Sequence, residues 1–272
     1  MMKPLETIVQ EIKRDGFTSI PFMYKRNDFE RAANRFLDFL ELPLLTKSTF
    51  FAQTHPKDRG STVGYVLRTG KTISDTSTDE IIKLDNKEYV HYNEYFEKYF
   101  GHLVNQPRVK EFIDEARTIY TLAKGTLYEL LKEYEKEFPN IKEQFFAKRK
   151  PPRFYLRFLK YDNVGEDGTI AKPHYDRGAL TLALAESSPG LRIGPKDKQV
   201  EVKHQDGQAL HFPGMGIEEA TRKGYLPPAW HDVVQKNKEP IRPGVARWSI
   251  VFFADLINQP EYTYDEAHQE KQ

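Results

Sequence analysis

The chain contains no cysteine among its 272 residues. Disulfide bonds and thiolate metal sites are therefore excluded, and any metal must be held by histidine, aspartate or glutamate. Neither sign of charge is in excess, since 41 lysines and arginines stand against 40 aspartates and glutamates. A dedicated nucleic-acid-binding protein usually carries a basic patch, so this balance argues against that class.

Long apolar runs are also missing. The opening segment MMKPLETIVQEIKRDG lacks the continuous apolar stretch of a signal peptide, and no run approaches membrane-spanning length. We therefore expect a cytoplasmic protein with no membrane partner. The chain is long enough to bury a substantial core. Because no repeat or linker divides it, we expect one domain over 1–272.

The apolar pattern changes in the middle of the chain. In the first half, apolar residues recur at helical spacing in 4–15, 27–43 and about 108–138. The polar segment 53–80 predicts mostly loop, and DNKE at 85–88 has the composition of a helix start. The second half has short β-rich runs that predict a sandwich or barrel. These runs are RFYLRFLKY, ALTLAL, LRI, QVEV, QALHF, AWHDVV and RWSIVFF.

Three candidate metal ligands lie in the second half. His174 and Asp176 are two positions apart in KPHYDRG, so on a strand their side chains project to the same face. His231 follows later, in PPAWHDVV. Two imidazoles and one carboxylate make the facial triad of a non-haem Fe(II) oxygenase. The same ligand set also describes a hydrolytic zinc site, so the residues alone leave the metal open.

An arginine and a serine share one face of the last apolar run, ARWSIVFFAD. Period-two alternation places Arg247, Ser249 and Phe253 on the same side of a strand. An arginine fork holds a carboxylate in two parallel hydrogen bonds, and the serine hydroxyl adds a third donor. We therefore expect a ligand with a carboxylate to bind there.

These motifs resemble the iron- and 2-oxoglutarate-dependent dioxygenases of the isopenicillin N synthase-like superfamily. The resemblance is densest over about 150–255 and rests on the strings HYDRGALTL, GL, HDV and RWS with FF, in that order. Two departures stand out. Leu159 occupies a position where many members have asparagine, and the interval from His231 to Arg247 is longer than the family pattern implies.

The resemblance implies a mixed α+β fold with a double-stranded β-helix (jelly-roll) core braced by N-terminal helices. The expected parts are a mainly helical segment with a lid at 1–150, the catalytic core at 151–257 and a C-terminal tail at 258–272. The implied ligands of Fe(II) are His174, Asp176 and His231. The implied contacts of 2-oxoglutarate are Arg247, Ser249 and Tyr161.

The implied reaction uses O2 to oxidise a small organic molecule, by hydroxylation, desaturation or ring closure, with release of succinate and CO2. The expected substrate contacts are Tyr65, Arg68, Leu159 and Phe253. Two alternatives stay open. One is an iron oxidase like isopenicillin N synthase, which uses no 2-oxoglutarate, and the other is a non-catalytic jelly-roll protein that binds a metal or a small molecule. His211, in QALHFPG, either packs in the core or supports a ligand from behind.

Overall fold

Helices and antiparallel strands are mixed along the chain, which confirms the α+β class. The computed structural model describes residues 1–54, 62–68, 72–74, 81–83, 87–148, 151–162, 168–194, 198–235 and 240–270. Its α-helices are α1 (Leu5–Asp15), α2 (Arg26–Leu40), α3 (Leu44–Ser48), α4 (Phe96–Phe100), α5 (Pro107–Glu135), α6 (Ile141–Phe145) and α7 (Tyr264–His268). Its strands are β1 (Thr18–Pro21), β2 (Phe51–Gln53), β3 (Thr62–Arg68), β4 (Thr72–Ser74), β5 (Ile81–Lys83), β6 (Lys87–Tyr92), β7 (Arg153–Tyr161), β8 (Thr169–His174), β9 (Leu180–Glu186), β10 (Leu191–Ile193), β11 (Val200–Glu201), β12 (Gln208–Pro213), β13 (His231–Val234) and β14 (Arg247–Asp255).

Two larger sheets organise the second half. One has eight strands in the order β1-β12-β9-β14-β7-β6-β3-β2, and the other has four in the order β11-β10-β13-β8. Strands β4 and β5 form a separate pair. From β7 to β14 the chain passes repeatedly from the larger sheet to the smaller one and back. The N-terminal strands β1 and β6 join the larger sheet through β12 and β7, so both halves of the chain share it.

Aromatic side chains fix the N-terminal helices against the larger sheet. Phe36 and Phe39 of α2 lie 5.4 and 5.3 Å from Phe112 of α5, measured between ring centroids. Phe112 in turn meets Phe158 of β7 at 5.0 Å. Each of these rings is buried, and burial of such a side chain contributes about 1.5–3 kcal/mol. This packing holds one face of β7, and the opposite face is available for a site.

Two sequence predictions about the N-terminal part are wrong. Thr62–Arg68, inside the segment predicted as loop, forms β3, and the segment predicted to start a helix forms β6 from Lys87 onward. TVGYVLR and KEYVHY contain β-branched and aromatic residues, and their backbone groups pair through β3 with β6 and through β6 with β7. Sheet context therefore outweighs the local polar composition. Parts of both predictions lie outside the described residues, at 55–61, 69–71, 75–80 and 85–86.

Other element predictions are confirmed closely. RFYLRFLKY is β7 in full, LRI is β10 in full, and the first and longest predicted helices are α1 and α5. Within the described residues, no helix has both the length and the apolar character needed to cross a membrane.

Candidate functional site

Three side chains converge where the smaller sheet meets the loop after β8. His174 is the last residue of β8, Asp176 follows it beyond the strand, and His231 opens β13 directly opposite His174. Asp176 Oδ1 lies 3.8 Å from the Nε2 atom of each histidine. The three candidate donor atoms all lie within 4.8 Å of one another. This is the group that the sequence analysis proposed as metal ligands, and the fold gathers it around one point.

Backbone carbonyls set the orientation of both imidazoles. Nδ1 of His174 donates to the carbonyl of Lys172 at 2.7 Å, and Nδ1 of His231 donates to the carbonyl of Ala229 at 2.9 Å. Because a carbonyl can only accept, each ring carries its proton on Nδ1, which leaves each Nε2 with a free lone pair 3.8 Å from Asp176 Oδ1. Burial, and then the neighbouring His231, lowers the pKa of His174 to about 3. His174 is therefore neutral at physiological pH, as metal ligation requires.

The carboxylate is oriented from behind by a threonine. Thr181 Oγ1 donates to Asp176 Oδ2 at 2.6 Å, which leaves Oδ1 facing the two histidines. His211 lies one layer further back and contacts the carbonyl of Thr181 through Nδ1 at 3.3 Å. Its Nε2 meets the Tyr134 hydroxyl at 2.9 Å. Burial lowers the pKa of His211 to about 4, so it is a neutral support of Thr181.

This donor set fits a divalent iron ion. Two imidazole nitrogens with exposed lone pairs and one carboxylate oxygen cover one side of a metal and leave its other positions open. Each of the three ligands is also held from behind by a hydrogen bond, the histidines by backbone carbonyls and the aspartate by the Thr181 hydroxyl.

A cavity of about 890 Å³ opens beside these three residues. His174 and Asp176 line it, and so do four residues that the sequence analysis named as co-substrate or substrate contacts. These four are Arg68, Leu159, Tyr161 and Phe253. Leu159, Tyr161 and Phe253 come from the neighbouring strands β7 and β14, in which Tyr161 pairs with Arg247 and Leu159 with Ser249.

Arg247 and Ser249 are not among the residues that line this cavity. Arg247 is 1% exposed and ion-pairs through Nη2 with the carboxylate of Glu186. Its Nη1 donates to the carbonyls of Ser188 and Pro189. Within the described residues, Nε of Arg247 is buried without a hydrogen-bond partner. Nε is therefore the one donor of Arg247 that a ligand carboxylate could bind without competition. A second hydrogen bond from Arg247 to that carboxylate would have to come from Nη2, which already pairs with Glu186.

Tyr65 lies away from the cavity, in contrast to the sequence expectation. It is 3% exposed, and its hydroxyl donates to Glu88 at 2.7 Å. Lys47 and Lys160 also bond the Glu88 carboxylate, each at 2.9 Å. The phenol of Tyr65 therefore completes a buried charge cluster, because an unsatisfied carboxylate in the core is costly. The polar stretch around Tyr65 gave no indication of this partner.

Sequence reasoning missed an arginine that also lines the cavity. Arg157 lies between Tyr155 and Leu159 on the same face of β7, and all three line the cavity. The period-two alternation of RFYLRFLKY contains that signal, since residues 155, 157, 159 and 161 share one face of the strand. Tyr89 of β6, which pairs with Leu159, was also missed.

Comparison with known proteins gives structural likeness without sequence likeness. No protein-family model and no curated protein sequence matches the chain. T7H from Neurospora crassa, solved in complex with alpha-KG, superposes with a TM-score of 0.70 at 17% identity, covering 97% of this chain and 85% of T7H. JOX2, solved with 2OG, Fe and JA, gives 0.67 at 19% identity, covering 96% and 74%.

A third similar structure is the dioxygenase for auxin oxidation (DAO) in rice. Its TM-score is 0.63 at 15% identity, covering 91% of this chain and 76% of DAO. All three likenesses extend over almost the whole chain, and the named proteins are oxygenases or are solved with 2-oxoglutarate. The chain has the fold of the 2-oxoglutarate- and Fe(II)-dependent oxygenases.

Proposed function

We propose that this protein is an Fe(II)- and 2-oxoglutarate-dependent dioxygenase that oxidises a small organic molecule. The observation that carries the proposal is the arrangement of His174, Asp176 and His231. Both histidines are fixed in the Nδ1-protonated form, and a single carboxylate oxygen, Oδ1 of Asp176, lies 3.8 Å from both Nε2 atoms. A structural histidine has no need of this orientation, whereas an iron ligand does.

The proposal includes the whole-chain architecture. The alternation of β7 to β14 between two sheets supports a double-stranded β-helix core at 151–257. The pairing of β1 with β12 and of β6 with β7 supports a single oxygenase domain over 1–272, in which 1–150 braces the core and 258–272 is a tail. Helix α7 in that tail brings His268 to the cavity rim, 5.6 Å from the His174 ring.

Each part of the site has a separate task in the proposed reaction. His174, Asp176 and His231 hold Fe(II), and Asp176 offsets part of its charge. Fe(II) with 2-oxoglutarate and O2 supplies the oxidising chemistry, with succinate and CO2 as the co-products. The distal carboxylate of 2-oxoglutarate is assigned to Tyr161, which lines the cavity, and to Ser249 and Nε of Arg247 on the paired strand β14; among the described residues this Nε has no hydrogen-bond partner. Leu159, Phe253 and Arg68 position the substrate and exclude water, which is the protein's share of such chemistry.

The Glu186–Arg247 ion pair favours a second candidate, an iron oxidase that uses no 2-oxoglutarate. Arg247 is already neutralised by a buried carboxylate, so a second carboxylate gains less from binding there. In this alternative the metal residues keep their roles, and the substrate itself supplies the electrons that reduce O2.

Succinate production tests the proposal. Purified protein with Fe(II), 2-oxoglutarate and O2 is expected to release succinate slowly even without a primary substrate. Asp176→Ala is expected to release none, whereas Asp114→Ala, which removes an exposed carboxylate from α5, retains the wild-type rate. Equal succinate release by wild type and Asp176→Ala contradicts the metal site. Fe(II) binding without succinate release selects the second candidate, because its electrons come from a substrate that this assay lacks.

A further inference from the structure

Arg157 lies in an aromatic cluster on the cavity wall. Its guanidinium carbon is 4.8 Å from the ring centroid of Phe253, 5.2 Å from that of Tyr89 and 5.6 Å from that of Tyr155. A second guanidinium, from Arg68, lies 5.7 Å from the centroid of Tyr89. Cation–π contacts of this kind hold an arginine in place while leaving its N–H groups available to a ligand.

A neutral histidine holds the Arg157 side chain. Nε of Arg157 donates to Nε2 of His91 at 2.8 Å, so that nitrogen is an acceptor and the proton of His91 lies on Nδ1. Nδ1 meets the Thr62 hydroxyl at 2.9 Å and the Thr62 carbonyl at 3.2 Å. Burial, with Arg157 beside it, lowers the pKa of His91 well below its usual range. His91 therefore orients Arg157 without offsetting its charge.

Within the described residues, Arg157 has no carboxylate partner. Its only hydrogen bond there is the one to His91, so both terminal nitrogens are available. Other arginines near the site differ: Arg247 pairs with Glu186, and Arg153, which also lines the cavity, lies 3.9 Å from Asp255. A partly buried cation among aromatic rings is costly unless an anion joins it.

Among the described residues, the lining of the cavity carries more positive than negative charge, although the chain has a formal net charge of only +1. The acidic lining residues in that set are Asp176, Asp255 and Glu261. Asp176 belongs to the metal site, and Asp255 is beside Arg153. Its basic lining residues are Arg68, Lys87, Arg153, Arg157, Lys172 and Arg177. This excess concentrates negatively charged small molecules in the cavity.

Arg157 lines the same cavity as His174 and Asp176. Phe253 pairs with Thr181 across β14 and β9, and Thr181 donates to Asp176. Phe253, whose ring contacts Arg157, therefore lies opposite the residue that supports Asp176, and Arg157, Phe253, His174 and Asp176 line the same cavity.

We propose that Arg157, with Arg68 beside it, binds the carboxylate of the primary substrate, so that the substrate class is an organic acid with an apolar body. The apolar body packs against Phe253 and Leu159, between the carboxylate and the metal residues. This inference rests on the proposed function, because it assigns the substrate of the same site. It makes Arg157 a specificity residue separate from the 2-oxoglutarate residues.

Binding of an acid and of its neutral amide tests the inference without turnover. The probes are 3-phenylpropionate and 3-phenylpropionamide, titrated by calorimetry into protein loaded with Mn(II), with and without saturating 2-oxoglutarate. We expect wild type to bind the acid at least about tenfold more tightly than the amide, because a bidentate charged hydrogen bond is lost in the amide. This comparison depends on no variant.

Three variants assign the effect to Arg157. Arg157→Met is expected to weaken the acid about tenfold, to the level of the amide, and to leave the affinity for 2-oxoglutarate unchanged. Arg157→Lys, which keeps the charge, gives an intermediate affinity. Arg153→Met is the matched control, since Arg153 lines the same cavity beside Asp255, and it is expected to bind the acid as wild type does.

Four results overturn the inference. These are equal affinities of wild type for acid and amide, no binding of either probe, unchanged acid binding in Arg157→Met, and a loss of 2-oxoglutarate affinity in Arg157→Met. The last result assigns Arg157 to the co-substrate instead. Failure of the proposed function would be seen in a different experiment, as absence of succinate release. These binding measurements need no turnover and stay valid in that case.

Discussion

Replacement of Thr181 by valine tests the hydrogen bond that orients Asp176 in the proposed metal site. The change keeps the β-branched shape on β9 and removes the hydroxyl that donates to Asp176 Oδ2 at 2.6 Å. Thr181 is 1% exposed, so water has little access from its side. Loss of a hydrogen bond to a charged group costs about 1.5–3 kcal/mol. We therefore expect metal affinity to fall about 10- to 100-fold, the range typical when a metal ligand loses the hydrogen bond that orients it.

Anaerobic calorimetry with Fe(II) measures this loss, and Thr221→Val is the matched control. The Thr221 hydroxyl donates to the carbonyl of Ile217 at 2.9 Å and has no contact with the metal residues. Its replacement makes the same chemical change away from the site and is expected to leave Fe(II) affinity within about twofold of wild type. If Thr181→Val binds Fe(II) as wild type does, or if both variants lose affinity equally, Thr181 does not orient Asp176.

Three other substitutions test neighbouring parts of the structure. Glu186→Gln is expected to tighten 2-oxoglutarate binding about tenfold, because a carboxylate that competes for Arg247 becomes a neutral amide; unchanged or weaker binding in calorimetry contradicts this. His211→Gln is expected to flatten the pH dependence of the free energy of unfolding. The pKa of His211 is about 4 in the folded protein and near 6.5 in the unfolded chain. The stability that neutral His211 contributes in wild type is therefore present above pH 6.5 and falls by about 2–3 kcal/mol toward pH 4. Parallel denaturation curves for the two proteins refute that assignment. Tyr65→Phe removes the hydrogen bond to Glu88 and is expected to lower the free energy of unfolding by about 1–3 kcal/mol, with succinate release unchanged. If this variant loses turnover but keeps its stability, Tyr65 contributes to the active site instead.

The pairing of His174 with Asp176 and the strand β7 were predictable because their signals are local. His174 and Asp176 are two residues apart, and the alternation in RFYLRFLKY marks one strand with two different faces. The periodic apolar stripe of α5 is a local signal of the same kind. In these places the chain's own periodicity determines which side chains share a surface.

The contacts made across strands were not predictable in this way. Glu186 meets Arg247 because β9 pairs with β14, and Tyr65 meets Glu88 because β3 pairs with β6. Nothing in the neighbouring sequence specifies either partner. The same holds for Arg157, whose aromatic contacts come from β6, β7 and β14. Register between distant strands, which is set by packing of the whole sheet, decided all three.

The central claim is that His174, Asp176 and His231 bind Fe(II) and present it to 2-oxoglutarate. Anaerobic addition of 2-oxoglutarate to the Fe(II)-loaded protein tests this most directly, because chelation of Fe(II) by a keto acid gives a weak visible charge-transfer band. We predict that the band appears in wild type and in Asp114→Ala, is absent in Asp176→Ala, and requires more 2-oxoglutarate in Arg247→Lys. Tight Fe(II) binding by wild type with no band at saturating 2-oxoglutarate contradicts the claim.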